Sequence, residues 1–379
     1  MLFGRLDEIA QLRGGGFLAP TNAFGVSEGG EIPVTYSYSL SVQRNIGAGI
    51  VVDVAYVGSL SRHLSYTRDI NAVPYGATFL AANQDPTRFA GGVVPAIEPN
   101  LPAAHAAAGL KFSGANALPQ DFLRPYRGFG QTAYRDFSAS SNYNSLQISA
   151  NRRVGRSLTF GVAYTFSKSL GISFQDTEAA SAFGQRDRDY RLASFDRPHY
   201  FVANYVYDLP GLSRFLGGNW LAKGVFDNWQ ISGISQLISG TPFELGVGIA
   251  GINTGQYVTG SYTDGPRFLL KGDPANGPNG LLINPDSFVM PAVGSAGIGN
   301  RFYLRVPRVH NHDISFFKNF PVGKEGARRL QLRVEMFNAF NHTQFSSVNG
   351  GTNLNIPNAD PTRPATTGGP FLITMAAPF

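Results

Sequence analysis

Apolar and polar residues alternate with a period of two over several long stretches of this chain. In residues 330–337 (LQLRVEMF) the apolar side chains take every second position, and Gln331, Arg333 and Glu335 take the positions between them. An extended strand places such residues on opposite faces, one apolar and one charged. A soluble sheet can carry the same pattern, so the number and spacing of these stretches decide the fold class.

Eight long strands are predicted in this way, and they form pairs. A short or medium turn joins the two strands of each pair, whereas long connections at about 58–141, 171–198 and 240–309 separate the pairs. A further short strand is expected near 131–137, and residues 338–369 are predicted to be irregular. The predicted strands cover residues 35–43, 49–57, 145–151, 158–167, 199–208, 229–239, 310–320 and 330–337.

This spacing predicts an antiparallel up-and-down transmembrane β-barrel. Strands of about nine to twelve residues can cross the hydrocarbon layer when tilted, and outer-membrane barrels alternate short periplasmic turns with long outer loops. A soluble sandwich would have shorter strands and no such asymmetry of its loops. The apolar faces are predicted to contact lipid and the polar faces the lumen, with Arg333 and Glu335 inside. Lys318 lies on an apolar face and is expected to reach the interface.

The direction of the strands predicts that the barrel is incomplete. If the short turns are periplasmic, the first strand descends, the eighth ascends, and the chain would begin outside the cell. We therefore expect residues 1–33 to be the end of a preceding extracellular loop and residues 34–379 to be a partial barrel. The plug and the N-terminal barrel strands are expected to be absent from this chain.

Composition and charge narrow the alternatives. The chain has 379 residues, with 45 glycines, 24 prolines, no cysteine and only 15% charged residues, which favours strands joined by glycine-rich loops. Its net charge of +6 is scattered, so nucleic-acid binding is not expected. The sequence contains no apolar run of transmembrane-helix length, and residues 1–16 do not have the pattern of a secretory signal.

Seven short motifs together cover most of the chain outside its long loops. They are residues 35–44 (TYSYSLSVQR), 54–59 (VAYVGS), 142–147 (NYNSLQ), 195–199 (FDRPH), 239–243 (SGTPF), 312–320 (HDISFFKNF) and 335–345 (EMFNAFNHTQF). In their sequence, order and spacing these motifs resemble the C-terminal barrel region of TonB-dependent receptors of the Oar-like type.

The resemblance implies a barrel in the cell outer membrane that is closed by an N-terminal plug. It also implies three partners: outer-membrane lipid, a TonB-type energy-coupling protein that acts through the plug, and the barrel-assembly machinery. Such receptors end in a strand with a terminal aromatic residue. Phe379 is terminal here, but Pro378 interrupts the strand pattern, so the last strand is expected to lie beyond the chain.

Candidate sites of chemistry are few. His310 and His312 lie two positions apart beside Asp313, which could hold a metal or form a hydrogen-bonding pair near the barrel rim. His199 with Asp196 is interpreted as loop packing. No cofactor or catalytic residue is predicted, and no enzyme activity is expected.

Two further stretches could suggest a site. Asp187 and Asp189 alternate with Arg186, Arg188 and Arg191, which predicts a solvated loop whose charges pair among themselves. The glycine-rich residues 246–255 lack the strand–turn–helix context of a phosphate loop.

Two functions remain open. The first is a receptor that imports a large ligand, such as a sugar, a peptide or a chelate. The second is a structural or adhesive surface protein that binds partners through its long loops without transport. A soluble β-sandwich that binds carbohydrate is a more distant alternative.

Overall fold

Eight long antiparallel strands form one continuous sheet, in sequence order, in the computed structural model. The structure describes residues 21–153, 157–172, 181, 183, 186–215, 217–243, 245–249, 253–275, 283–297, 304–322, 328–345, 347–348, 351–354 and 375–376. The strands, called the wall below, are β1 (Val34–Gly47), β2 (Ile50–Asp69), β3 (Phe129–Arg152), β4 (Leu158–Gly171), β5 (His199–Asp208), β6 (Trp229–Ile238), β7 (Val309–Val322) and β8 (Arg328–Met336). Each strand pairs with its sequence neighbours, so the eight predicted strands and their meander order are confirmed.

The register brings the apolar faces of neighbouring strands together. One cross-strand row contains Val42 and Val54. The same row continues through Ile148, Tyr164 and Phe201 on the next three strands. A one-residue slip would turn these side chains to the other face, so the common apolar face itself fixes the register.

The opposite face of the wall is polar, as predicted. On β8 the side chains of Arg333 and Glu335 form an ion pair on this face. Gln331 donates to Asn319 of β7 at 2.8 Å on the same face. Leu332, between these polar residues, is exposed on the apolar face.

Two strands are much longer than the pattern predicts. β2 continues to Asp69 and β3 begins at Phe129, so the predicted connection at 58–141 is shorter, at 70–128, and the short strand expected near 131–137 is part of β3. A bulge at residues 61–64, with His63 at a φ of 56°, separates the extension from the rest of β2. Beyond it, residues 62–69 (RHLSYTRD) carry charges on both faces, so no apolar face marks the strand.

The prediction of a loop over residues 1–33 is wrong for Thr21–Val26, which forms a strand. This strand pairs in parallel with the extension of β3, from Phe129 to Arg135. An extended strand edge at that level offers unpaired backbone groups, which the alternation within residues 21–26 alone does not reveal. Residues 1–20 lie outside the described part of the chain.

The hairpin between β1 and β2 is the tightest described turn. Gly47, Ala48 and Gly49 all have positive φ, as expected for a short hairpin loop. The predicted turns at 153–157 and 321–327 fall partly outside the described residues.

Lys318 lies on the apolar face, as predicted, but its ammonium group does not reach the water at the interface. Its side chain is on the apolar face and only 3% exposed, between the rings of Trp229 and Phe320, each about 5.4 Å away. The ammonium donates to the backbone carbonyl of Asp227 instead of reaching water. The connection between β5 and β6 covers this lysine, and a pattern of alternation cannot show such a contact.

The remaining elements are short. No helix in the described part of the chain is both long and apolar enough to cross a lipid bilayer. The helices are Ala103–Ala107, Gln120–Leu123, Arg186–Asp189 and Trp220–Phe226, a π-helical turn at Gly255–Thr259, and 3-10 turns at Ala77–Phe79, Ala81–Asn83, Pro86–Arg88, Ala90–Gly92, Ser213–Phe215 and Pro285–Ser287. The short strands are Arg191–Leu192, Pro242–Phe243, Gly246–Ile249, Leu269–Leu270, Phe288–Val289, Leu304–Arg305, Ser347–Val348, Gly351–Leu354 and Met375–Ala376.

The C-terminal region is less irregular than predicted where it is described. Gly351–Leu354 pairs in parallel with Gly246–Ile249, and Met375–Ala376 pairs with Ser347–Val348. Phe379, the terminal aromatic residue, and Pro378 lie outside the described residues.

Candidate functional site

The three long connections of the wall pack together at one end of it. We call their described residues within 70–128, 172–198 and 239–308 the loop cap. The third connection has an apolar cluster of its own, centred on the fully buried Phe268 and Phe288. A second cluster, around Val73 and Leu123 of the first connection, also contacts Tyr262 of the third. These clusters show that the long loops form packed structure of their own.

Arg188 joins all three connections. Its guanidinium donates to Asp264 Oδ2 at 2.8 Å and to Tyr75 Oη at 2.9 Å. Tyr75 in turn donates to the same carboxylate oxygen at 2.5 Å, and Arg188 also donates to the carbonyl of Gly265. One buried cation therefore connects the first, second and third connections through a single carboxylate.

Burial has the largest effect on the pKa values of Asp264 and Tyr75. It raises the pKa of Asp264 above its usual value, although Arg188 acts in the opposite direction. It also raises the pKa of Tyr75, and the hydrogen bond to Asp264 adds to that effect. A buried pair of this kind costs much of its attraction in desolvation, so it specifies the arrangement of the loops more than it stabilises them.

The prediction of a solvated, self-paired loop at residues 186–191 is wrong for Arg188, Asp189 and Arg191, which are buried, whereas Arg186 and Asp187 are exposed. Asp189 is only 1% exposed and accepts hydrogen bonds from Tyr66 of β2 at 2.6 Å and from Ser181. Arg267 of the third connection approaches Asp189 at 3.4 Å. The charges pair with distant parts of the chain, which their local alternation cannot reveal.

Asp196 and His199 have packing roles, as interpreted. Asp196 is buried, accepts from the backbone N–H of Ser169 at 2.7 Å, and pairs with Arg305 at 2.6 Å. His199 Nδ1 is 2.8 Å from Tyr164 Oη. Asp196 therefore connects the second and third connections at the top of the wall.

Close backbone contacts complete the cap. Gly260 has a φ of 72°, and a Cβ there would lie 2.5 Å from the Cα of Gly76. The N–H of Gly76 donates to the carbonyl of Thr259, and Thr78 Oγ1 donates to the carbonyl of Gln256 at 2.7 Å. The first and third connections therefore meet with almost no space for larger side chains.

His105 is a fully buried titratable group at this junction. Its Nε2 lies 2.9 Å from the carbonyl of Tyr257, and the two rings are 4.5 Å apart. Burial lowers the pKa of His105, with Glu98 opposing this. Burial, assisted by Glu98, raises the pKa of Tyr257 to about 12.

His310 and His312 lie at the cap end of β7, on its apolar face. His312 Nδ1 is 2.8 Å from Ser235 Oγ, and the ring of His342 stacks on His310 at 4.2 Å. In the described part of the chain no three His, Cys, Asp or Glu side chains are arranged to hold a metal ion. The metal hypothesis gains no support from this geometry, and the hydrogen-bonding alternative matches only His312, because the His310 ring stacks on His342.

The motif after β8 explains this histidine cluster. Asn338 and Asn341 both have positive φ, and Asn338 exchanges hydrogen bonds with His342. The Gln344 side chain then bonds both the N–H and the carbonyl of His310. The motif caps the backbone edge that β8 leaves unpaired when it ends.

Sequence reasoning missed the residues that build the cap. Nothing local in the sequence marks Asp264, Tyr75, Arg267 or His105, because their partners are far away in sequence. The nearest signal was the charge alternation around Arg188, which marked the correct loop but suggested the wrong partners.

The solved structures that the chain resembles are larger than it is. One is the outer membrane transporter YddB from Escherichia coli, with 8% identity and a TM-score of 0.41, covering 95% of this chain and 33% of that chain. Another is the FrpB iron transporter from Neisseria meningitidis (F3-3 variant), with 10% identity and a TM-score of 0.35, covering 84% and 29%. The chain thus spans about a third of the length of these structures.

No curated protein matches the chain. A family model described as an outer membrane beta barrel domain matches residues 6–368, which is nearly the whole sequence. Together with the antiparallel wall, whose apolar face carries exposed side chains such as Leu40 and Leu332, this match assigns the chain to the outer membrane. The chain belongs to the outer membrane β-barrel domain family.

Proposed function

We propose that this chain is part of a TonB-dependent outer-membrane receptor of the Oar-like type that imports a large ligand. The ligand classes that fit are a sugar, a peptide or a chelate. The short turns of the wall then face the periplasm and the loop cap faces outside. A TonB-type protein would supply energy through a plug, and the barrel-assembly machinery would insert the barrel.

The observation that carries this proposal is the loop cap held by buried ion pairs. Loops that served only to connect strands would not need Arg188, Asp264 and Asp189 buried in one network. A preordered surface outside the membrane loses little conformational entropy when it captures a ligand. Ligand recognition at the cap, followed by entry through the barrel, is the function that this geometry favours.

The polar face of the wall supports passage through a lumen. Arg333, Glu335, Gln331 and Asn319 line this face, and charged side chains are tolerated there at little cost. The same face would suit contact with a plug. We propose no catalytic role for the chain, since the titratable groups of the cap have structural partners.

Adhesion is the second candidate, because a rigid cap can also bind a surface without transport. An uptake assay separates the two functions. Cells that carry the full gene are given a fluorescent maltooligosaccharide, an oligopeptide and a ferric chelate, with and without the TonB-type protein. The receptor hypothesis predicts uptake of one probe that requires the coupling protein, while binding at the surface persists without it.

Binding without internalisation in both strains would support adhesion instead. The full gene offers an independent check: a plug with a coupling box before this region favours the receptor, and its absence favours adhesion. Conversion of a probe by the purified protein would contradict the proposed absence of catalysis.

A further inference from the structure

The connection between β5 and β6 exposes an apolar surface at the opposite end of the wall from the cap. We call residues 209–228, without residue 216, the rim connection. Phe215 is 73% exposed and Trp220 is 79% exposed, while Ala222 is the only buried residue of the helix Trp220–Phe226. The other exposed apolar side chains here are Leu212, Leu221, Val225 and Phe226. Contiguous surfaces of this kind mark contact with a protein or a membrane.

The rim connection holds this exposure in a defined structure. Asn219 caps the helix by accepting from the N–H of Ala222 at 2.7 Å. Asp227 accepts from both the N–H and the hydroxyl of Ser213, at 2.9 and 2.6 Å. Gly211 fits closely against that carboxylate, where a Cβ would lie 2.8 Å from Oδ1. These hydrogen bonds fix the connection in a conformation that directs its apolar side chains outward.

The helix lies against the lipid-facing side of the wall. The indole N–H of Trp229, on the apolar face of β6, donates to the carbonyl of Val225 at 2.7 Å. The Lys318 ammonium, on the apolar face of β7, donates to the carbonyl of Asp227. The exposed surface of the rim connection is consequently continuous with the apolar band that contacts lipid.

Cations outnumber acids around this surface, where the rim connection contributes one carboxylate, that of Asp227. The lipid-facing positions near the short-turn ends of the strands include four cations: Arg44, Arg152, Lys318 and Arg328. On this face of the wall, outside the extensions of β2 and β3 beyond the bulge at residues 61–64, none of the described strand residues is acidic. The rim connection adds Lys223 and Arg214, whose guanidinium lies 4.8 Å from the ring of Phe215.

We propose that the rim connection lies in the inner leaflet of the outer membrane and binds anionic phospholipid. Its helix would place Trp220, Leu221 and Val225 at the boundary between headgroups and acyl chains. Arg214 and Lys223 would contact the phosphates. Interfacial segments combine these features, with apolar and aromatic residues toward the lipid and cations toward anionic headgroups.

Lipid fits this surface better than a periplasmic protein. The surface continues the lipid-facing band, and its fringe is basic where phospholipid phosphates are acidic. A docking protein would have to approach along the membrane plane past the same headgroups. The inference does not depend on the proposed transport function, because an adhesive barrel would have the same rim.

The position of Trp220 can be measured by quenching its fluorescence. The full-length protein is reconstituted into phosphatidylcholine vesicles that contain phosphatidylglycerol, and the Trp220 signal is the difference between the natural protein and Trp220→Phe. We expect a blue-shifted signal that lipids brominated near the headgroup end quench and aqueous iodide does not. Quenching by iodide, with no effect of brominated lipid, would overturn the proposal and leave the surface to a protein partner.

The charge preference is tested with a double variant and a matched control. Arg214→Gln with Lys223→Gln removes two cations of the rim connection, whereas Arg88→Gln with Lys111→Gln removes two from the cap. We expect brominated phosphatidylglycerol to quench Trp220 more than brominated phosphatidylcholine does, and the rim variant to weaken that preference by about fivefold for each charge. The cap variant should keep it. Equal quenching by both lipids in the natural protein would refute the anionic specificity.

Discussion

The wall and the loop cap bury their side chains in opposite ways. Every residue of β1 and β8 is exposed, and their apolar side chains face outward, where lipid covers them in the membrane. In the cap Phe268 and Phe288 are fully buried, and charged groups such as Arg188 are buried as well. The apolar side chains of the wall therefore need lipid to cover them, whereas the cap buries its apolar side chains in a core of its own.

This difference determines which changes each region tolerates. A charge added to the middle of the apolar face of the wall has no partner among the acyl chains, and a charge removed from the cap leaves its partner buried without compensation. The wall should be sensitive to added charges and the cap to lost ones. The predictions below test that contrast.

The largest expected effect is Arg188→Ala, which leaves the buried Asp264 carboxylate with Tyr75 as its hydrogen-bond donor and Arg267 as the nearby cation. Removing one member of a buried ion pair costs about 3–5 kcal/mol, so the three connections should separate. Limited proteolysis of the folded protein should then cut the cap within residues 70–128 or 239–308, at rates far above those of the natural protein. The barrel itself should remain assembled.

Arg88→Ala is the matched control, because Arg88 also belongs to the cap but forms an exposed pair with Asp85 at 3.8 Å. Exposed pairs contribute less than about 1 kcal/mol, so this variant should behave like the natural protein. Equal protease sensitivity of the two variants would show that the network around Arg188 does not hold the cap together.

The next largest effect is expected in the wall, and it depends on which face of the strand carries the substitution. Leu332→Arg adds a cation to the apolar face directly opposite Lys318, at a cost of up to about 2–4 kcal/mol, the value for a cation at the bilayer midplane, while Arg333→Leu changes the polar face. We expect the first variant to block membrane assembly and the second to assemble, as judged by the folded fraction in isolated outer membranes. If the two neighbouring variants assemble equally, the assignment of faces is wrong.

Glycine-to-alanine substitutions are expected to have a smaller effect on stability, and they again distinguish the wall from the cap. Gly58 of β2 lies under the ring of Tyr38, only 2.4 Å from where a Cβ would be, but that ring can move into lipid. Gly260 faces the backbone of Gly76 and has positive φ, which costs an alanine about 1–2 kcal/mol before any clash. Gly260→Ala should therefore raise protease cleavage of the cap, whereas Gly58→Ala should leave both regions intact. A stronger effect of Gly58→Ala than of Gly260→Ala would contradict the proposed difference between the wall and the cap.

Alternation predicted the wall because its information is local. Each strand such as β8 has one face in contact with lipid and one with polar surroundings, so a few neighbouring residues identify it. The same reasoning failed for residues 62–69 and 129–140, where β2 and β3 leave the apolar band. Pairing continues there through backbone hydrogen bonds, but neither face is uniformly apolar.

The cap could not be predicted because its contacts join residues far apart in sequence. Asp264 is buried by Arg188 and Tyr75, which lie in two other connections, and nothing near Asp264 marks it as buried. Gly260 is one of many glycines, and only its contact with Gly76 distinguishes it. The outward-facing apolar side chains of the rim connection could not be predicted either, because their orientation depends on the contacts of this connection with Trp229 and Lys318.

The smallest effect is a dependence of the cap on pH through His105. Burial lowers the pKa of His105, so the folded state keeps the imidazole neutral when the unfolded chain already binds a proton. The stabilising contribution is therefore complete above the ordinary histidine pKa and decreases as the pH falls below about 6.5. Each pH unit can cost at most about 1.4 kcal/mol, so the cap should loosen without unfolding the wall.

Hydrogen exchange of the amides of residues 103–110 and 255–260 at pH 7.5 and pH 5.0, corrected for intrinsic rates, measures this loosening. We expect faster exchange at pH 5.0 in the natural protein and little pH dependence in His105→Gln, whose side chain can still donate to the carbonyl of Tyr257. Burial raises the pKa of Asp264, so this group takes up its proton more readily in the folded state and opposes the histidine at still lower pH. A pH dependence that survives in His105→Gln would assign the effect to a different group.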